Sequence, residues 1–310
     1  MEAIEALKRS IHITSELRSL VKTMKVLAGL NIRQYERAAQ AVAGYNHAIE
    51  MGLQVAVKHL PEPLLPPQHA PGRKLGAIVF GSDQGMCGPL NDVIVEYASR
   101  ALVRLARQRN EQTILAVGQR AAAQFEDSGK PVETTLEVPA STAAITATVH
   151  EVLRQIEEWH GQRGIEMIVL FYCRLVTGVF YRPRGIRLLP VDIEWIRSLR
   201  AKPWPSRVIP TYMIDTDRLY RALIREYLFG AVFGASAESL ASENAARLAS
   251  MQVAERNIEE RLKALISEFH QSRQAAVTSE LLDIVSASEA LGGEDGASSA
   301  AGLARFRARR

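Results

Sequence analysis

The glycine-rich segment GSDQGMCGPLN, residues 81–91, is the stretch whose residue types come closest to a phosphate-binding site. It follows a short apolar run and precedes an amphipathic one, and glycines between a strand and a helix often let backbone amides bind phosphate. The spacing is GxxxGxxG rather than GxGxxG or GxxxxGK(S/T), and no lysine follows that could reach a phosphate. We therefore favour a structural turn here over a nucleotide site.

The other residue types that could do chemistry are not arranged for it. Cys87 needs a nearby histidine base to act as a nucleophile, and the middle of the chain offers His150 and His160, both in a predicted surface helix. Asp192 and Glu194 are a close acid pair after a predicted strand, which we interpret as solvated charges at the strand end. Histidine and cysteine do not cluster at metal-ligand spacing. We expect no catalytic residue, no cofactor and no metal.

Composition limits the class of protein. The chain has 310 residues, 47% hydrophobic and 23% charged, which is ordinary for a soluble protein with one large or two medium domains. Its 38 basic residues nearly balance its 34 acidic ones, which argues against a nucleic-acid partner. The charged N-terminus does not match a signal peptide, and no apolar stretch approaches eighteen residues, so we expect no direct membrane insertion. Two cysteines without a CxxC motif fit a reducing compartment.

Strand and helix patterns alternate between residues 73 and 209. Short apolar runs predict strands at 75–81, 113–118, 165–176 and 185–192, with a candidate edge strand at 132–138. Amphipathic segments lie between them, one of them opened by Ser141. This alternation predicts a small open-sheet α/β domain of the Rossmann-like kind. Five prolines between residues 61 and 72 predict that a linker at 60–72 precedes it.

Long helical patterns occupy both ends of the chain. Residues 242–291 contain no proline, and an apolar stripe steps along them by three and four residues: Leu248, Met251, Ala254, Ile258, Leu262, Leu265, Phe269, Ser272 and Ala276. Fifty helical residues span roughly 75 Å. Residues 1–59 carry a matching stripe: Ile4, Leu7, Ile11, Thr14, Leu17, Val21, Met24 and Ala28. Because such stripes need partners, the fold class is predicted to be α/β plus an antiparallel coiled coil of the N- and C-terminal helices.

The predicted organisation is therefore a coiled-coil helix at 1–59, the linker at 60–72, the α/β domain at 73–209, a second coiled-coil helix at 210–291 and a disordered basic tail at 292–310. Glycine and serine in the first half of the tail favour disorder. Two functional classes are open on these patterns alone. One is a coiled-coil adaptor or scaffold, and the other is an α/β enzyme that binds a nucleotide at residues 81–91.

Three motifs carry a family resemblance. Residues 241–291 resemble the C-terminal signature of the gamma subunit of rotary F-type ATP synthases, which is built around SExxAR, AMxxAxxN and NxxRQAxITxEIxEI. The segment GSDQGMCGPLN is similar to that family's GSDxGLCGxxN, and LVKTMKVLA, residues 20–28, to its ITKAMxMVA. The motifs follow the family's order and spacing, and the resemblance covers residue 1 to about 291.

The resemblance implies a non-catalytic rotor shaft. In the family, the two terminal helices stand inside a hexamer of alpha and beta subunits, and the α/β domain sits below, near the epsilon subunit and the membrane rotor ring. Catalysis belongs to the beta subunits, and the shaft couples ion flow through the ring to ATP synthesis or hydrolysis by differential contact. The implied location is peripheral, on the cytoplasmic face of a bacterial plasma membrane.

The resemblance also assigns contacts with the catalytic hexamer. Glu243 and Arg247 match the SExxAR pair, and Gln274 and Thr278 match the RQAxIT segment. In the family these residues reach loops of the catalytic subunits. A simpler reading of Glu243 and Arg247, which are four residues apart, is a mutual surface ion pair worth a few tenths of a kcal/mol.

Two further assignments come from the other motifs. Met24 matches the methionine near the bearing of the shaft. Its position in the apolar stripe fits packing in the seam, the contact line between the two long helices, equally well. Ser82, Asp83 and Cys87 match the turn that, in the family, faces the lower stalk.

Overall fold

The computed structural model describes residues 2–59, 74–105, 112–208 and 210–307, with the backbone alone described for 288–307. The linker predicted at 60–72 lies outside these residues. The chain forms two compact units, one of residues 1–23 and 253–310 and the other of residues 24–252. In chain order the elements are α1 (Glu2–His59), β1 (Leu75–Phe80), α2 (Leu90–Leu105), β2 (Gln112–Val117), α3 (Gln119–Asp127), β3 (Thr134–Leu136), α4 (Thr142–Gly161), β4 (Met167–Thr177), β5 (Phe180–Leu189), α5 (Ile193–Ala201) and α6 (Thr216–Arg307).

The two long helices were predicted, with differences at their ends. α1 is one continuous helix of 58 residues, and α6 has 92 residues. The side chain of Asp215 accepts a hydrogen bond from the Arg218 backbone N at 3.2 Å and caps the start of α6. The backbone of α6 is helical to Arg307, which differs from the disordered tail expected from residue 292. That segment is proline-free and rich in alanine, the residue with the highest helix propensity.

In the unit of residues 1–23 and 253–310, α1 and α6 bury the predicted stripes. Along α6, the residues Ala254, Ile258, Leu262, Leu265, Phe269, Ser272 and Ala276 are less exposed than most of their neighbours. Arg18 Nη2 donates a hydrogen bond to Glu259 Oε1 at 2.7 Å and links the two helices. Leu17 was predicted in the stripe of α1 but is 48% exposed. Between residues 21 and 42 of α1 the buried positions are Val21, Ala28, Tyr35 and Val42, one in every seven residues, so this stretch of the apolar stripe is narrower than a stripe with two positions per heptad.

The unit of residues 24–252 contains a five-stranded sheet in the order β3-β2-β1-β4-β5. Strands β1 to β4 are parallel, and β5 pairs antiparallel with β4. This confirms the Rossmann-like α/β prediction and the edge position of β3. β5 is the opposite edge; it places Pro183 across from Cys173 and carries three exposed arginines, Arg182, Arg184 and Arg187.

Helices cover both faces of the sheet. α2 and α3 pack on one face through a core that includes Ile94, Leu102 and Phe125. α4 packs on the other face, where the core also takes in Tyr35 of α1 and residues 228–241 of α6. α4 begins as predicted, since Ser141 Oγ accepts a hydrogen bond from the Ala144 backbone N at 3.3 Å. The sheet therefore rests directly on the paired long helices.

α5 is an element that the sequence analysis missed. β5 ends at Leu189, and Asp192 caps α5 by accepting a hydrogen bond from the Glu194 backbone N at 2.9 Å. Asp192 and Glu194 are therefore not charges at a strand end, as predicted, but the N-cap and first turn of a helix. An acidic side chain is favourable there because it satisfies free backbone N–H groups and complements the helix dipole.

Candidate functional site

The segment of α6 between residues 235 and 246 is buried on nearly all sides although it carries several polar residues. It lies between α1 and the sheet, so it has no free face. Successive residues of a helix point about 100° apart. Ser242, Glu243 and Asn244 therefore face three different neighbours. We call the group formed by Tyr35, Asp83, Ser242, Glu243 and Arg247 the junction, because it joins α6 to the other elements of this unit.

Ser242 connects α6 to the sheet. Its hydroxyl lies 2.9 Å from the backbone carbonyl oxygen of Cys173, in β4, and 2.9 Å from that of Glu238, one turn earlier in α6. The single hydroxyl proton is donated to one of these acceptors at a time. Ser242 is fully buried, so the bond to Cys173 is shielded from water and ties the helix to the strand at one point.

Glu243 and Arg247 form an ion pair inside the unit. Arg247 Nη2 donates to Glu243 Oε1 at 2.6 Å, and the two side chains are only 13% and 8% exposed, respectively. The predicted mutual pair is thus present, but it is buried rather than on the surface. Glu243 Oε2 and Arg247 Nε have no hydrogen-bond partner within the described parts of the chain. Most of both side chains is covered by other residues of this unit.

Electrostatics at the pair are dominated by its removal from water. Burial raises the pKa of the Glu243 carboxyl; the nearby Arg247 guanidinium opposes this, and the negative charge of Asp83 adds to it. Tyr35 of α1 closes the site. It is 4% exposed, and burial followed by the charge of Glu243 raises the pKa of its hydroxyl, against the effect of Arg247. The charge of this carboxylate is thus felt by a residue of α1, and a residue of the turn after β1 affects its own pKa.

The turn at residues 81–91 uses its polar groups internally. The Ser82 backbone N donates to Asn91 Oδ1 at 3.0 Å, and Asn91 Nδ2 donates to Ser82 Oγ at 2.9 Å. Cys87 Sγ lies 3.4 Å from Ser82 Oγ, and both residues are buried. These bonds occupy groups that a phosphate would need. The geometry supports the structural turn over the nucleotide site.

Asp83 braces the same turn. Its carboxylate accepts hydrogen bonds from the Gln119 backbone N, at the start of α3, at 2.9 Å and from the Val138 backbone N at 2.8 Å. Gly88 has a φ of +58°, and a Cβ there would lie 3.1 Å from Ser250 Oγ, so the turn rests against α6. The exposed side chains at the tip include Gln84 and Met86. A contact with a lower-stalk subunit, predicted for Ser82, Asp83 and Cys87, would therefore be made chiefly by neighbours such as Met86.

The remaining predicted contacts lie on the helices. Gln274 and Thr278 are exposed on α6, and Thr278 Oγ1 donates to the Gln274 carbonyl oxygen at 2.9 Å. Met24 is half-buried along α1, as seam packing predicts. The structure also adds residues to which the sequence analysis gave no role, Tyr35 and Ser242. A sequence signal for Tyr35 exists, since it lies seven residues after Ala28 and continues the spacing of the α1 stripe.

Comparison with known proteins decides the family. A family model described as ATP synthase matches residues 3–291, and curated relatives that match along the chain are gamma chains. The chain belongs to the ATP synthase gamma-chain family. The gamma chain of Thermobifida fusca is 27% identical over 92% of this chain and 95% of its own length. That of Heliobacterium modesticaldum is 23% identical over 94% and 100%.

Solved ATP synthase structures share the fold of this gamma-family chain. A chain from the Euglena gracilis mitochondrial ATP synthase, in a structure of OSCP, F1 and c-ring, matches with a TM-score of 0.65 at 16% identity, covering 94% of this chain and 95% of that one. A chain from the central stalk and c-ring of the Tetrahymena thermophila enzyme matches with a TM-score of 0.53 at 18% identity, covering 76% and 99%. At these identities the likeness concerns the fold.

Two kinds of site are not found within the described residues. Histidine, cysteine, aspartate and glutamate do not form a group of three or more that could hold a metal ion there. The helices described also include none that is long and apolar enough to cross a membrane.

Proposed function

We propose that this chain is the central-stalk rotor shaft of an F-type ATP synthase, a non-catalytic subunit that couples ion flow through a membrane rotor ring to ATP synthesis or hydrolysis. The observation that carries this proposal is the family match over residues 3–291. It coincides with two very long helices at the chain ends and an α/β sheet between them in sequence. The related solved chains come from ATP synthase rotors and stalks.

The proposed partners follow from the same family. The long helices contact a hexamer of alpha and beta subunits, and the α/β unit contacts the epsilon subunit and the rotor ring. A helix pair has a different surface on each side. Three identical catalytic subunits around it therefore make different contacts, and turning the pair changes which of them favours bound nucleotide. We place the complex at the cytoplasmic face of a bacterial plasma membrane, with this chain held there by its partners.

The junction has a mechanical role in this proposal. Torque that enters the α/β unit must reach α6. If the sheet could slide on α6, part of the torque would deform this contact instead of turning the helix. Ser242 ties α6 to β4, and next to it Glu243 forms a buried ion pair with Arg247. Buried polar contacts are directional. Displacing them costs more free energy than displacing apolar contacts, because the separated groups are left without hydrogen-bond partners away from water. The junction therefore resists twisting of the sheet against the helix.

The contact with the catalytic hexamer is proposed for exposed residues. Gln274 and Thr278 are accessible on α6 and take this role directly. Met24 contributes from the edge of the seam. Glu243 and Arg247 are buried, so we propose that they influence the hexamer by fixing the position of α6 rather than by broad contact.

Co-expression with alpha and beta subunits of a bacterial ATP synthase tests the proposal. The expected result is a complex with three alpha, three beta and one copy of this chain, which hydrolyses ATP and rotates the chain in single-molecule recordings. A control with beta subunits alone should give no such complex. A stable homodimer that ignores the alpha and beta subunits would instead support the coiled-coil adaptor and overturn the proposal.

A further inference from the structure

The buried segment of α6 beside Asn244 is rich in small side chains. It carries buried alanine at 235, 237, 241 and 245. On α1, Ala28 is buried, and Ala38 and Ala39 pack against the core. Small side chains make shallow knobs, so packing alone distinguishes poorly between alternative alignments of two helices. Farther along the two helices, Gly52 lies against Leu223 and Tyr45 lies against Phe229. Beside Asn244 a directional contact must add to this selection.

The buried positions of α1 make a shift by one heptad the natural alternative. Val21, Ala28, Tyr35 and Val42 are buried at intervals of seven residues. A shift by one heptad would place another member of this set at three of the four levels, and half-buried Thr14 or Ile49 at the fourth. It would move α1 by about 10.5 Å along α6, since each residue rises about 1.5 Å.

One polar contact lies inside this seam. Asn31 Nδ2 donates to Asn244 Oδ1 at 3.3 Å, and Asn244 is buried while Asn31 is half-buried. The Asn244 amide is also oriented by its own helix, because its Nδ2 donates to the Leu240 carbonyl oxygen at 2.8 Å. That bond leaves Oδ1 aimed at α1, where Asn31 supplies the amide donor.

The amide pair discriminates against the shifted alignments. Moving α1 by one heptad replaces Asn31 by Met24 or Ala38 opposite Asn244. Neither side chain can donate a hydrogen bond, so Asn244 Oδ1 would be buried without a partner. A single buried asparagine is known to select register in coiled coils, at some expense of stability relative to an apolar residue.

We propose that Asn31 and Asn244 are positioning residues that fix the register of α1 against α6 and thereby the coupling of the shaft to the catalytic hexamer. The coupling part rests on the function proposed above. In a gamma-family shaft, residues of both helices face the partner subunits, and the offset of one helix along the other is fixed. A fraction of molecules in another register presents the wrong pair of surfaces at a given angle, and ATP turnover then loses its fixed ratio to rotation.

The register is measured on the full chain by cysteine cross-linking. A Cβ at Gly230 on α6 would lie 2.9 Å from Asn46 Cγ on α1, so the pair Asn46→Cys with Gly230→Cys reports the native register. The pair Ala39→Cys with Gly230→Cys reports a shift by one heptad. The natural cysteines, Cys87 and Cys173, are buried and should not interfere. With both asparagines present, only the first pair is expected to cross-link on oxidation.

The test variant is Asn31→Leu with Asn244→Leu, which lets apolar side chains fill the gap. We expect its melting temperature to be unchanged or higher, while cross-linking of the shifted pair appears and ATP-driven ion pumping per ATP hydrolysed falls at least about twofold in the reconstituted enzyme. A separate variant, Asn31→Gln, keeps an amide donor and should retain the single register. Tyr45→Phe removes the exposed hydrogen bond that Tyr45 of α1 donates to Glu226 of α6, and it should leave the coupling ratio unchanged.

Cross-linking of the native pair alone, together with an unchanged coupling ratio in the double leucine variant, would overturn the proposal. Loss of pumping only in proportion to a lower melting temperature would do the same, because it would indicate a general structural role. The cross-linking arm needs no other subunit. If the chain failed to assemble with alpha and beta subunits, the proposed function would fail while the register result remained readable.

Discussion

Arg247 lies one helical turn after Glu243, and its guanidinium donates to the Glu243 carboxylate at 2.6 Å in a site where both side chains are largely removed from water. Replacing Arg247 by leucine leaves a buried carboxylate without its cation. Breaking a buried pair in this way costs about 3 kcal/mol or more. We expect the free energy of unfolding, measured by urea denaturation, to fall by that order.

Two controls accompany the Arg247→Leu variant. Lys8→Ala breaks an exposed pair with Glu5 and should change the free energy of unfolding by less than about 1 kcal/mol. The double variant Glu243→Leu with Arg247→Leu should be more stable than Arg247→Leu alone, because it removes both charges. A single variant as stable as the wild type would contradict the buried pair.

The pH dependence of stability should carry a contribution from Glu243. Burial raises the pKa of this carboxyl in the folded state above its ordinary value of 4.5, so the folded chain binds the proton more tightly than the unfolded chain. The contribution of Glu243 to stability therefore increases as the pH falls through the raised pKa and is lost as the pH rises through it. The difference in unfolding free energy between wild type and Glu243→Gln, measured from pH 4 upward, should show this slope. If the difference in unfolding free energy did not vary with pH, the pKa of Glu243 would not be raised in the folded chain.

Ser242 should contribute more to stability than a neighbouring buried serine. Ser242→Ala removes the hydroxyl that lies 2.9 Å from the Cys173 carbonyl oxygen, and we expect a loss of about 1 kcal/mol. Ser239 is a matched control, since its buried Oγ has no hydrogen-bond partner within the described part of the chain. Ser239→Ala should be neutral or stabilising. Equal losses in thermal unfolding would mean that the bond from Ser242 to β4 is not the relevant contact.

Gly230 of α6 lies directly against the Asn46 side chain of α1. A Cβ at Gly230 would lie 1.8 Å from Asn46 Oδ1, whereas a Cβ at Gly44 would meet nothing within 4 Å. Gly230→Ala should destabilise the chain by about 1–3 kcal/mol through overpacking. Gly44→Ala should stabilise it by up to about 1 kcal/mol, because alanine is the better helix former. Melting curves of the two variants should shift in opposite directions.

Gln274 and Thr278 should matter for coupling and not for folding. Both are exposed on α6, so the double alanine variant should keep the stability and assembly of the wild type. If these residues contact the catalytic subunits, ATP synthesis in the reconstituted enzyme should fall by about fivefold, the low end of typical coupling energies. Gln271→Ala, an exposed neighbour, is the control. Unimpaired synthesis in the double variant would remove the contact role assigned to this surface.

Periodicity predicted the long helices and most strands because those patterns are local. The residues from Ala254 to Ala276 that were expected in the seam are the less exposed ones on α6. α5 was missed because the apolar run at 185–189 was extended to Asp192, and the capping role of that residue depends on where the strand ends.

The junction was predicted only in part, for a different reason. The spacing of Glu243 and Arg247 indicated a pair correctly, but a pair four residues apart on a helix is usually exposed. Its burial depends on the turn after β1 and on Tyr35, which are more than 150 residues away in sequence. Contacts of that range leave no periodic signal in the chain.

The edge strand β5 has a consequence for the chain before it meets any partner. An open sheet edge offers unpaired backbone groups to other chains and invites polymerisation. Pro183 has no N–H to donate, and Arg182, Arg184 and Arg187 stand exposed along the same strand. Mutual repulsion between these guanidinium groups on different molecules should keep newly synthesised chains apart and soluble until assembly.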